Sequence, residues 1–242
     1  MALAAAALAF ALVTLFMPAL GPLFARAWPD VTPPIYGFAS FPELLLSHAE
    51  IVALASAAAT AAALALGICA TRPWGRDFRP LLGAVATIGQ TFPPVAVLAI
   101  AVPVLGYGDV PTFVALGLYG FLPIVANVIA GLEGVPSSVR EAAEGMGLSS
   151  WQILRDVELP LAAPVILAGV RTSVVIAIGT ATIGSTVGAV TLGTPIIDGL
   201  VGDKLPYVIE GAVVVALFAI VADMVFERLD RYLRRHTGER GG

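Results

Sequence analysis

The sequence predicts an all-α integral membrane protein of about six transmembrane helices, and three observations predict it. Apolar residues make up 58% of the chain and charged residues only 12%, with a mean hydropathy of +0.93, whereas soluble domains are about 25% charged. Six stretches approach the length of about 20 apolar residues that crosses a hydrocarbon core. The basic residues are unevenly placed: Arg72, Arg76 and Arg79 share one connection, Arg140 and Arg155 a second, and Arg228, Arg231, Arg234, Arg235 and Arg240 the tail. The other connections hold only Arg26 and Lys204. By the positive-inside rule the arginine-rich segments, and with them both termini, are expected in the cytosol. Residues 1–242 are expected to form a single membrane domain, with 133–160 a cytosolic loop and 227–242 a cytosolic basic tail.

The first span is expected from about Ala2 to Phe24. Ala25-Arg26-Ala27 has the form of a signal cleavage site, but no basic segment precedes the apolar run, so the expectation is that it is retained. Residues 28–42 hold four prolines and read as an extramembrane loop, with Trp28 and Tyr36 at headgroup level. The second span, about Leu45 to Ala70, has an alanine-rich middle that suits close packing against other helices. His48 and Glu50 fall at its edge and are expected to be solvated.

The third span, about Leu81 to Leu105, contains Gln90-Thr91-Phe92-Pro93-Pro94. Two adjacent prolines remove two amide donors and break or kink a helix, which a bilayer tolerates only where protein or water meets the freed carbonyls. Gln90, Thr91, Pro93 and Pro94 are therefore candidates for a translocation path, beside a purely structural kink. The fourth span runs from about Val110 to Leu132. The fifth, about Leu161 to Gly184, carries Arg171, Thr172 and Thr180. A structural ion pair or a snorkelling position is the first expectation for Arg171, and solute contact along the path the second. Residues 185–203 are too broken for a span and read as an outer or re-entrant connection; the sixth span is about Leu205 to Phe226.

Between spans four and five, Glu141 to Pro160 reads as two short amphipathic helices folded about a glycine. Ser138 and Glu141 have capping-box spacing, and so do Ser149 and Gln152. Val139, Ala142, Ala143 and Met146 share one face of the first helix, and Trp151, Leu154 and Val157 form a stripe on the second. Gly147 supplies the left-handed residue between them, and Pro160 is expected to end the second helix and can start the next one at its first turn.

The inventory argues against catalysis. The only lysine, Lys204, precedes Leu205, so no phosphate-binding loop of the G-x-x-x-x-G-K-[ST] form exists. Two histidines far apart and a single cysteine, Cys69, supply no zinc site. No catalytic residue, no metal site and no affinity for nucleic acid is expected.

The loop carries a resemblance. Glu141-Ala142-Ala143, three residues, Gly147, nine residues, then Val157-Glu158-Leu159-Pro160 resembles the EAA loop of ABC-importer permeases, which ends in I-x-L-P; Val157 stands in place of the isoleucine. From Leu45 to about Leu229 the order of segments is similar to permeases of the osmoprotectant, or quaternary-amine, importers. Gln90-Thr91-Phe92-Pro93, Leu122 to Asn127, Ala168 to Thr172, Ile176 to Thr182 and Leu192 to Ile196 carry that likeness. The resemblance implies a type I importer permease fold in a bacterial inner membrane. It also implies that Glu141, Ala142, Ala143, Gly147, Val157, Leu159 and Pro160 couple to a separate cytosolic ATPase, which would bind ATP and Mg. The implied partners are a second permease copy or paralogue, an external solute-binding protein and membrane lipid. The implied solutes are glycine betaine, choline, carnitine or relatives. Alternatives are a permease for another small solute, such as an amino acid, a sulfonate or another betaine, and an ATP-independent channel or secondary transporter, which would leave the loop unexplained.

Overall fold

A computed structural model describes residues 1–236, apart from the side chains of residues 86–88, 90, 235 and 236. Among these residues all regular structure is helical. Five stretches are long and apolar enough to cross a membrane: Ala2–Ala27, Phe41–Thr71, Asp109–Glu133, Ser150–Val187 and Leu205–Arg234. The first is α1 (Ala2–Phe16) and α2 (Gly21–Ala27), joined through a tight turn containing Pro18.

Helix α3 (Phe41–Thr71) starts earlier than its apolar run suggests. Ser40 and Glu43 form a capping box, the Ser40 amide donating to the Glu43 carboxylate at 3.1 Å and the Glu43 amide to the Ser40 hydroxyl at 3.4 Å. Pro42 sits in the first turn, where a missing amide costs nothing.

The expected third span is two helices, α4 (Arg79–Thr91) and α5 (Pro94–Leu105), of 13 and 12 residues. Neither alone has the length of about 20 residues that a crossing needs. Phe92 and Pro93 are extended between them, with ψ of 128° and 135°, because a residue that precedes proline is pushed out of the helical region. Helix α6 (Asp109–Glu133) follows, then α7 (Ser137–Gly145) and α8 (Ser150–Gln152). One wide, π-type turn over Ile153–Glu158 leads into α9 (Leu159–Ala181). Helix α10 (Thr194–Val201) lies within the expected broken connection, and α11 (Leu205–His236) closes the described chain.

The chain forms two compact units. One comprises Met1–Ala55, Pro93–Gly117 and Val174–Val225. Its core joins Ile51, Val52 and Ala55 of α3 to Leu116, Ala177 and Ile178, and joins Met17, Tyr36 and Leu44 to Leu192 and Tyr207. His48 is fully buried, not solvated as expected. Its Nδ1 accepts from the Leu192 amide at 3.2 Å, so Nε2 carries the proton and donates to the Ile178 carbonyl at 3.1 Å. Tyr36 is buried rather than lying at a headgroup surface. Its amide donates to the Glu210 carboxylate at 3.1 Å, its hydroxyl to Asp198 at 3.0 Å, and its ring packs edge-on against Tyr207 at 5.4 Å. Burial first, and then the Asp198 carboxylate, push the Tyr36 phenol above its usual range.

The other unit comprises Ser56–Phe92, Leu118–Ser173 and the chain from Phe226. Ala59 and Ala63 of α3 are buried against Ile124, Val128 and Leu132 of α6 and Ile166 of α9. The expected small-residue packing is present. A Cβ on Gly67 would stand 2.5 Å from a Val128 methyl, and one on Gly169 2.7 Å from the Asn127 Cβ, so these helices approach almost to backbone contact.

Candidate coupling site

Helix α7 differs from its expected start. It begins at Ser137 with Pro136 in the capping position and no side-chain cap. The Val139 and Arg140 amides turn back to the Pro136 carbonyl, which places Glu141 beyond the reach of a reciprocal capping bond to Ser138. The C-terminus is as the spacing predicts. Gly147 has φ +82°, the Leu148 amide donates to the Ala143 carbonyl at 3.2 Å and the Gly147 amide to that of Glu144 at 2.9 Å. This pair of bonds is the Schellman arrangement that glycine permits.

After the turn, Ser149 caps α8. Its hydroxyl accepts from the Gln152 amide, and the Gln152 side chain accepts from the Ser149 amide at 2.8 Å, completing the predicted box. Pro160 sits in the first turn of α9, as expected, but it does not bring the chain to a stop, and Ser150–Val187 runs through. Proline offers no amide and its ring crowds the carbonyl four residues back. The wide turn at Ile153–Glu158 directly precedes it and loosens the ladder at that place.

The predicted apolar faces are only partly inward. Ala143 and Leu154 are buried and Val139, Val157 and Leu159 half-buried, while Glu141, Ala142 and Pro160 are exposed. Met146 is 73% exposed and Trp151 66%. The two helices thus form a hydrogen-bonded knob that presents a methionine, a tryptophan and the Glu141 carboxylate outward.

Glu158, the variable position of the loop's closing pattern, is central to the geometry, and sequence reasoning passed over it. Its side chain is 4% exposed; Oε2 lies 2.7 Å from Arg72 and Oε1 2.8 Å from Arg140. Arg140 also donates to the Leu132 carbonyl at the end of α6, and Arg79 pairs with Glu133 at 2.6 Å. Arg72, Arg79, Glu133, Arg140 and Glu158 line a cleft of about 490 Å³. Removing Glu158 would leave two part-buried guanidiniums without their counter-charge, whereas removing one arginine leaves the carboxylate its other partner. A carboxylate at the inner edge of an amphipathic stripe, with arginines in two neighbouring connections, was the available signal.

The path candidates are placed as follows. Thr91 and Pro93 are exposed and Pro94 half-buried at the break between α4 and α5, and the Gln90 side chain lies outside the described residues. On α9, Arg171 is half-buried and engaged by a neighbouring group. Thr172 is exposed and donates to the Ala168 carbonyl at 3.0 Å, and Thr180 is half-buried.

Long apolar helices, a helix broken at paired prolines and a charged knob between two of them define a multi-pass membrane protein. Residues 63–236 match the binding-protein-dependent transport system inner membrane component family, and the chain belongs to it. Three relatives illustrate this membership. The osmoprotectant import permease protein OsmY of Salmonella typhimurium is 43% identical over 71% of this chain and 72% of its own length. The glycine betaine/carnitine/choline transport system permease protein OpuCB of Bacillus subtilis is 42% identical over 70% and 81%. The choline transport system permease protein OpuBB of Bacillus subtilis is 41% identical over 77% and 85%. Among solved structures, the inward-facing MetNI methionine ABC transporter aligns with a TM-score of 0.70 over 79% of this chain and 95% of that one, at 20% identity. At that identity the likeness speaks to the fold, which is that of a type I importer permease. The protein is an inner-membrane permease subunit of a transport system.

Proposed function

We propose that this permease imports glycine betaine, choline, carnitine or a related quaternary amine, driven by a separate cytosolic ATPase that binds ATP and Mg. An external binding protein delivers the solute, and a second permease copy or paralogue completes the path. The solute class rests on what the relatives with 41–43% identity are named for. For coupling, the observation that carries the proposal is the knob of α7 and α8. It leaves Met146 and Trp151 in the open, where an isolated loop gains nothing from them, and apolar groups rimmed by charge suit a protein partner. Glu141, Ala142, Ala143 and Gly147 shape the first half of that knob, and Val157, Leu159 and Pro160 root the second half. Gln90, Thr91, Pro93, Pro94, Arg171, Thr172 and Thr180 remain the proposed path.

Gly147→Val tests the coupling. A β-branched residue at φ +82° is strained by on the order of 1 kcal/mol or more, and the strain redirects α7 without touching the spans. The variant is expected to insert and express, and to lose solute-stimulated ATP hydrolysis and uptake of labelled choline in proteoliposomes. Uptake at the unmodified level would rule out the coupling role.

A further inference from the structure

We propose that Glu158 positions the coupling loop, and that its two ion pairs bind α7 to the end of α3 so that both move as one body. The proposal rests on the coupling role given above for the loop.

Three segments distant in sequence meet at one carboxylate. Arg72 follows the last residue of α3, Arg140 lies on α7, and Glu158 closes the wide turn that leads into α9. Each guanidinium takes a different oxygen, Arg72 at 2.7 Å and Arg140 at 2.8 Å, and the carboxylate is 4% exposed. Neither oxygen is left for solvent.

The wide turn is what brings Glu158 inward. In a regular α-helix residues five apart diverge by about 140°. Bonding from i to i+5 returns them to one face, and Ile153 and Glu158 are both buried here. Apolar residues at 72, 140 and 158 together would fill the same space with no charge to desolvate, and such replacements of whole buried ion clusters are often stabilising. A carboxylate adds direction, since two oxygens orient two arginines at once. Arg140 then reaches the Leu132 carbonyl, which ties the end of α6 into the same joint. A push on α7 is thereby delivered to α3, α6 and α9 together rather than absorbed in a hinge.

The test is made on the full chain with Cys69→Ser, spin-labelled at Trp74→Cys and Gly145→Cys. Trp74 is 70% exposed, and a Cβ on Gly145 meets nothing within 4 Å. With Glu158 intact the distance distribution is expected to be narrow, and the same with and without nucleotide in the ATPase-bound assembly. Glu158→Gln is expected to at least double its width; a native width in that variant overturns the joint, and so does a distance that changes with nucleotide while Glu158 is intact. Arg72→Gln, which breaks one pair and leaves the other, answers the same question if Glu158→Gln fails to fold.

Transport gives a second readout. The ratio of solute-stimulated to basal ATP hydrolysis is expected to fall tenfold or more in Glu158→Gln while the ATPase still co-purifies. Glu158→Asp, which keeps the charge and loses the shape, is expected to retain more of that ratio than glutamine, which keeps the shape and loses the charge. The reverse order would make Glu158 a packing residue and overturn its positioning role. Because the label distance on the free chain needs no ATPase, broadening in Glu158→Gln together with failure to engage any ATPase would sustain the joint and sink the coupling function.

Discussion

Single residues in this protein act mainly through backbone groups that they satisfy or approach. His48 is the clearest case, because its ring closes one amide and one carbonyl in a fully buried position. His48→Leu keeps the volume and leaves the Leu192 amide without a partner, at about 1–3 kcal/mol. The purified variant is expected to melt several degrees lower, and an unchanged melting temperature would remove the pin. Gly75 is a second case. A Cβ there would stand 2.0 Å from the Cys69 carbonyl oxygen, a backbone atom that cannot step aside. Gly75→Ala is therefore expected to displace the turn that carries Arg72, and to lower both thermal stability and the stimulated hydrolysis ratio. Gly83→Ala, where nothing lies within 4 Å, is the matched control.

At the scale of elements, the broken helix and the knob are opposite devices. The prolines at 93 and 94 free backbone carbonyls between α4 and α5, and a bilayer accepts freed carbonyls only beside water or protein. Thr91→Cys in the Cys69→Ser background is expected to react with a membrane-impermeant thiol reagent in at least one transport state. No labelling in any nucleotide state would assign the break to shape alone. In the knob the two termini that meet at the junction are closed by specific bonds, the Schellman pair at Gly147 and the box at Ser149. Ser149→Ala removes a cap worth about 1 kcal/mol. It is expected to weaken co-purification of the ATPase more than it lowers the melting temperature of the chain, since α8 is short and its Trp151 faces outward.

For the whole molecule the number of crossings sets which side each terminus faces. Among the described residues five helical stretches are long enough to span, and five crossings place the termini on opposite sides; a crossing shared by α4 and α5 makes six and returns both to one side. The arginine distribution favours six, with the arginine-rich tail in the cytosol. Helix α11 has 32 residues, about 48 Å against a core of about 30 Å. Its last turns therefore project beyond the hydrocarbon, carrying the Arg231–Glu227 and Arg234–Asp230 pairs. Reporter fusions after Met1 and after Gly242 are expected to report the same side, and one within residues 28–40 the other. Fusions at the two termini on opposite sides would mean that the paired short helices do not cross.

What the sequence determined by itself was whatever depends on local chemistry. Apolar length set the spans, paired prolines the break, glycine the left-handed turn at 147, and serine with glutamine the cap at 149. Each of these is settled within a few residues of chain, because backbone sterics and short-range hydrogen bonds do not wait for a partner. The family likeness was legible for the same reason, in a loop whose spacing is written in consecutive residues. Only the tertiary structure decided what faces what. Tyr36 and His48 read as interfacial until Tyr207, Asp198, Glu210 and Leu192 arrive from far along the chain to bury and satisfy them. Met146 and Trp151 fall on the apolar faces of their helices, yet α7 buries only Ala143, α8 buries nothing, and the inward groups Ile153, Leu154 and Glu158 all lie in the wide turn. Nothing local marks Glu158 as buried, since a lone carboxylate belongs in water. It is buried because Arg72, 86 residues earlier, and Arg140 bring it two positive charges, and a favourable interior for a charge exists only where its partners have been folded into place.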